Sequence, residues 1–181
     1  ERIAYVPGEF ASGRRLYVRS LRDWAAPPRL VATHPADIVS VAFHPDGRHL
    51  VITNNGWSKP SLRVVDLERR QVIQRMALDH AWLGVAWHPD GKRLFSSGAA
   101  DNSIREVEWR DEKLVPGRTF TLAPPQKSGW GGAMENPGFV GGLALSPDAR
   151  VLYAAQVYGK AVAAVDVETG DVLARLSLQA E

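Results

Sequence analysis

His44 and His88 each open a His-Pro-Asp-Gly turn, and Ser146 holds the matching place before a third Pro-Asp pair. Metal binding needs three or four ligands converging on one point. Two turn histidines on separate units, with side chains expected to lie far apart, do not supply them, so no metal site is assigned. Asp66, Glu108 and Asp166 recur at the ends of matching segments. General acid–base catalysis needs two carboxylates aimed at one substrate, and this spacing pairs none of them; they read as solvated strand-end acids. The sequence contains no Gly-x-Ser-x-Gly elbow, His-Glu-x-x-His pair or phosphate-cradling loop. Gly129-Trp130-Gly131-Gly132 lacks the spacing of a dinucleotide site. With no cysteine there is no thiol nucleophile or disulfide framework. No catalytic residue and no cofactor is implied, and the chain reads as non-enzymatic.

The elements that carry these residues form a repeat. Val41-Ala42-Phe43-His44-Pro45-Asp46-Gly47, Val85-Ala86-Trp87-His88-Pro89-Asp90-Gly91 and Leu143-Ala144-Leu145-Ser146-Pro147-Asp148-Ala149 align, at intervals of 44 and 58 residues. The first interval is a β-propeller period, and the second implies an insertion of 14 residues. After each turn comes a short apolar strand (Leu50-Val51-Ile52, Leu94-Phe95-Ser96, Leu152-Tyr153-Ala154), then an alternating strand ending near an acid. A fourth strand follows, clearest over 72–78 and 172–178. Four short strands per unit with turn residues between them make one blade. Residues 3–6, 16–21 and 30–32 read as the second, third and fourth strands of a blade that lacks its first. Pro-Asp-Gly suits a tight turn because proline presets φ, aspartate bonds nearby backbone and glycine accepts positive φ. Ala149 replaces that glycine in the third copy, so its turn is either strained or of another type.

The expected fold is all-β: a single partial propeller over 1–181, of about four four-stranded blades, the first incomplete. The units are an incomplete blade over 1–36, blades over 37–80 and 81–123, an inserted loop over 124–139 and a blade over 140–181. Apolar residues are 45% and charged residues 23% of the chain, which excludes a disordered composition. The net charge of +2 comes from scattered residues rather than a basic stripe, so no nucleic-acid partner is expected. No apolar run is long enough for a membrane-spanning helix.

In a propeller, the connections between second and third strands and those between blades share one face. That face gathers the candidate binding residues Asn54, Asn55, Trp57, His80, Trp82, Asp101, Asn102, Trp130, Met134, Glu135 and Tyr158. The insertion between Leu122 and Val140 is its most distinctive part, because a long connection without secondary structure tends to be functional or disordered. Trp130 could serve as an anchor for a protein or small-molecule ligand, or fold back as a lid.

The units resemble WD-type and YVTN-type propeller repeats over nearly the whole chain. Ser146-Pro147-Asp148, Leu152-Tyr153-Ala154-Ala155 and Val165-Asp166-Val167-Glu168-Thr169-Gly170 look like the YVTN-type unit. The Trp-Asp dipeptide of the WD type is replaced by Val-Asp, Val-Glu or Arg-Ser. Residues 41–178, with Ser97-Gly98-Ala99-Ala100-Asp101-Asn102, also resemble the propeller part of bacterial proteins that carry an alkaline-phosphatase-like phosphoesterase, while the first 40 residues are more similar to a TolB-type repeat. The resemblance implies a closed ring of seven or eight blades and a bacterial periplasmic or secreted setting. Two functions follow: a non-catalytic scaffold recognising a partner on its loop-rich face, or the propeller portion of a larger hydrolase. Because a ring buries each blade against the next, four blades leave two faces uncovered. Self-association or the remainder of a ring is expected to cover them.

Overall fold

The computed structural model describes residues 2–7, 14–54, 59–122 and 139–178. It contains four antiparallel sheets and, among the described residues, no helix. The first blade has three strands, β1 (Arg2–Tyr5), β2 (Arg15–Ser20) and β3 (Arg29–Thr33). The second has four, β4 (Ile38–Phe43), β5 (His49–Asn54), β6 (Ser61–Asp66) and β7 (Gln71–Ala77). The third is β8 (Val85–Trp87), β9 (Arg93–Ser97), β10 (Ser103–Arg110) and β11 (Lys113–Thr121). The fourth is β12 (Val140–Leu145), β13 (Val151–Gln156), β14 (Ala161–Asp166) and β15 (Val172–Ser177). Strand order within each sheet follows chain order, as successive hairpins require. The chain is thus an all-β propeller of about four blades, the first of which has three strands among the described residues.

The alternation of side chains explains the packing. Successive strand residues point to opposite faces, and both faces of the inner blades are apolar. Leu50, Ile52 and Val65 join Leu16, Val18 and Val31 of the first blade. Val51, Leu62 and Val64 turn the other way and meet Leu94, Val107 and Leu114 of the third. Phe95, Ile104 and Phe120 then meet Leu152, Ala163 and Val165 of the fourth. Polar clamps accompany these contacts. Gln74 exchanges two hydrogen bonds with the Leu114 backbone, at 2.8 and 2.6 Å, and Arg118 bridges Glu106 to the Val167 carbonyl.

The Pro-Asp-Gly turns share one geometry. Gly47 and Gly91 have φ of 69° and 70°, and Ala149 takes the same left-handed conformation at 59°. Each closes on the residue three before it, His44, His88 or Ser146. The third turn is therefore of the same type and carries backbone strain, because a Cβ disfavours that region. Asp66 departs from the sequence expectation of a solvated acid: it is fully buried. Its burial favours the neutral form, yet the Arg69 N–H, the Arg48 guanidinium and the Glu68 N–H hold its pKa below the usual carboxylate range. Arg48 donates to it across 2.8 Å, so this acid braces a turn.

Candidate functional site

The β9–β10 and β13–β14 connections, with the segments that lead into β8 and β12, bring together residues far apart in sequence. β9 runs into a tight loop in which Ala99 and Asn102 both adopt positive φ. Asn102 is buried, and its carbonyl side-chain oxygen accepts from Gln156 Nε2 at 2.8 Å, tying the third blade to the fourth. Asn54 is buried in the same way: Ser61 Oγ donates to it at 2.8 Å, and its amide donates to the Lys59 carbonyl. The Asn54 amide closes the connection between second and third strands of its blade, whereas the Asn102 amide bonds one blade to the next. A polar residue at a strand end can be buried when backbone groups satisfy it.

His80 and Asp101 come together. His80 Nδ1 lies 2.7 Å from the Asp101 carboxylate. Arg105 donates to the other Asp101 oxygen at 2.7 Å and to the His80 carbonyl at 2.8 Å. These three form a closed polar group at the junction of the second and third blades, and all retain contact with water.

Trp82 and Tyr158 are joined through a residue that the sequence reading does not single out. Phe139 packs edge-on against Trp82, with ring centroids 5.5 Å apart, and against Tyr158 at 5.3 Å. The backbone sets this ladder: the Val157 N–H donates to the Phe139 carbonyl and the Val140 N–H to the Ala99 carbonyl. Beneath it the inner strands approach so closely that a Cβ on Gly84 would stand 2.5 Å from the Gly141 carbonyl oxygen. Leu83, Val157 and Tyr158 remain about half exposed, at 49%, 52% and 48%. The result is an apolar surface of Trp82, Leu83, Phe139, Val157 and Tyr158 beside the His80–Asp101–Arg105 group. Asn55, Trp57, Trp130, Met134 and Glu135 lie outside the described residues.

On the opposite end, His44, Asp46 and His49 place potential ligand atoms within 4.8 Å of one another. Their hydrogen bonds account for the grouping. His49 Nδ1–H donates to Asp46 Oδ2 at 2.7 Å, the Asp46 N–H donates to His44 Nδ1, and His44 Nε2–H donates to the Gly91 carbonyl at 2.8 Å. Burial disfavours the Asp46 carboxylate, but the His49 backbone and ring, the Arg48 N–H and His44 together hold its pKa well below the usual range. The next blade repeats the arrangement with His88 and Asp90 and puts Arg93 in the place of His49. A cation can thus stand where the third ligand would be, and the trio is a turn brace.

A family model described as WD domain, G-beta repeat matches residues 27–58 and 75–105. No curated protein matches the chain. A solved structure of a functionally unknown protein from Desulfotomaculum acetoxidans aligns with a TM-score of 0.72 at 14% identity, over 98% of this chain and 53% of that one. Kuenenia stuttgartiensis hydrazine synthase aligns with a TM-score of 0.70 at 21% identity, over 91% of this chain and 43% of that one. At these identities the likeness is one of fold, and the chain spans about half the length of the structures it resembles. Repeat sequence and blade architecture agree: this chain is a β-propeller that carries WD-type repeats over residues 27–58 and 75–105.

Proposed function

We propose that this propeller is a non-catalytic recognition scaffold whose loop-bearing face takes an apolar anchor of a partner polypeptide on the Trp82–Leu83–Phe139–Val157–Tyr158 surface. The observation that carries this reading is the aromatic ladder flanked by half-exposed Leu83 and Val157. Aromatic residues in a supported apolar patch with a polar rim are the composition of an interface centre. The His80–Asp101–Arg105 group supplies that rim. Peptides selected for binding to the 181-residue chain should lose affinity by about tenfold or more on Tyr158→Ser or Leu83→Ser, at unchanged melting temperature. Selected peptides that bind both variants as well as the parent would refute the assignment.

The same reading extends to the blade faces. Tyr153 and Leu176 occupy the places held by Phe95 and Phe120 in the third blade, where both are buried, yet they are 43% and 65% exposed. A second copy of the chain packing its first blade against this face would cover it in the manner of the inner junctions.

A further inference from the structure

Arg63 of β6 and Arg75 of β7 are direct cross-strand partners. Like charges placed so are mutually destabilising, and neither guanidinium meets a carboxylate or carbonyl among the described residues. Arg63 Nε is buried without a hydrogen-bond partner. The equivalent positions elsewhere show what such arginines ordinarily find. Arg105, at the place of Arg63, donates to Asp101 and to the His80 carbonyl. Arg175, at the place of Arg75, donates to the Leu122 carbonyl at 2.6 Å. In those blades the facing residues are Thr119 and Ala163, so only the second blade sets two arginines against each other.

Arg63 lies opposite Ile52 of β5, which packs with Leu16, Val18 and Val31, so the arginine pair is on the sheet face turned to the first blade. This junction differs in a second respect. Leu78, Leu122 and Leu178 each follow the outer strand of a blade and donate their N–H to the residue before the third strand: Pro60, Asn102 and Lys160. His34 makes the same bond to Arg14 and so takes the leucine place in the first blade. Its Nδ1 is engaged with Ala36, while its buried Nε2 has no partner. Burial lowers the His34 pKa; the Ala36 bond opposes this, and the charges of Arg63 and Arg75 add to the lowering. Asp37, three residues on from His34, pairs with Arg14.

We propose that His34, Arg63 and Arg75 form a binding site for a small oxyanion, a carboxylate or a phosphate, at the junction of the first and second blades. Two guanidinium groups can hold such an anion through charge-assisted hydrogen bonds, and His34, protonated as the anion binds, adds Nε2–H as a third donor from the neighbouring blade. The anion would supply the acceptor that Leu122 and Asp101 provide in the other blades.

The test is NMR titration of the His34 ring, with thermal melting, in the 181-residue chain. The probes are inorganic phosphate and acetate, each against sodium chloride at matched ionic strength. A saturable rise in the His34 pKa and in Tm is expected with one or both anions, and the stronger of the two identifies the chemistry. Arg75→Gln should weaken the response by about tenfold or more. Arg75→Glu puts a carboxylate opposite Arg63 within the sheet; it should keep the fold and abolish saturation. A response no larger than that to chloride, or one that survives Arg75→Glu unchanged, would overturn the proposal.

Discussion

His44 Nε2–H donates to the Gly91 carbonyl 2.8 Å away, so the turn of the second blade is bonded to the turn of the third. The same ring lies edge-on to Trp87, with centroids 4.5 Å apart. His44→Ala removes both contacts and should destabilise the chain by about 2–3 kcal/mol in urea denaturation.

Equivalent turn glycines should respond unequally. Gly47 and Gly91 share their φ, but a Cβ on Gly47 would come no closer than 3.5 Å to a flexible Arg2 side chain, whereas one on Gly91 would press on the His44 ring at 3.2 Å. Gly47→Ala should cost about 1 kcal/mol of backbone strain, and Gly91→Ala measurably more. Ala149→Gly relieves the same strain but gives up a buried methyl contributing ~0.8 kcal/mol, so its net effect should be small. Melting curves of the three variants check the ranking.

Acid should act in two stages. Burial lowers the His34 pKa, so the unfolded chain takes up this proton first; its contribution to stability is present above about pH 6.5 and fades as pH falls. Asp46, Asp66 and Asp90 also ionise below the ordinary range, because hydrogen bonds outweigh the burial that opposes their charge. Their contribution is present above about pH 4 and is lost as pH falls further. Chemical denaturation across pH should show His34→Gln flattening the first stage alone, and Asp66→Asn reducing the second.

Association should follow the exposed face of the fourth blade. Sedimentation velocity should show concentration-dependent dimerisation, and Tyr153→Asp or Leu176→Asp should abolish it without loss of strand content. A parent chain that stays monomeric at high micromolar concentration would refute the packing of a second copy.

The blades were legible in the sequence because their signals are local. Pro-Asp-Gly, the alternation around Leu62 to Asp66 and the recurrence of Leu50, Leu94 and Leu152 each lie within a few residues. The surface was only partly legible, since it is made between blades. Trp82 and Tyr158 stand out as aromatics in connections, but Phe139 links them only because β12 runs beside β8. Arg105 reads as an ordinary strand residue until Asp101 and His80 are folded against it. Asn54 and Asn102 look like ligand-facing polar residues, yet both are buried, Asn54 against Ser61 and the Lys59 carbonyl and Asn102 against Gln156 of the next blade. The Arg63–Arg75 opposition was hidden for a related reason: strand register, not composition, makes them neighbours.

Each apolar cluster lies between two blades, and none belongs to one sheet alone. A blade therefore owns little stability of its own; it borrows half from each side. Such a chain behaves as a short row of coupled units, in which the middle blades are held twice and the outer ones once. Amide protons of β5, β6, β9 and β10 should be the last to exchange, and opening should start at either end and stop at the next intact junction. Damage at one seam would stay there, leaving the far seam to hold its own pair of sheets.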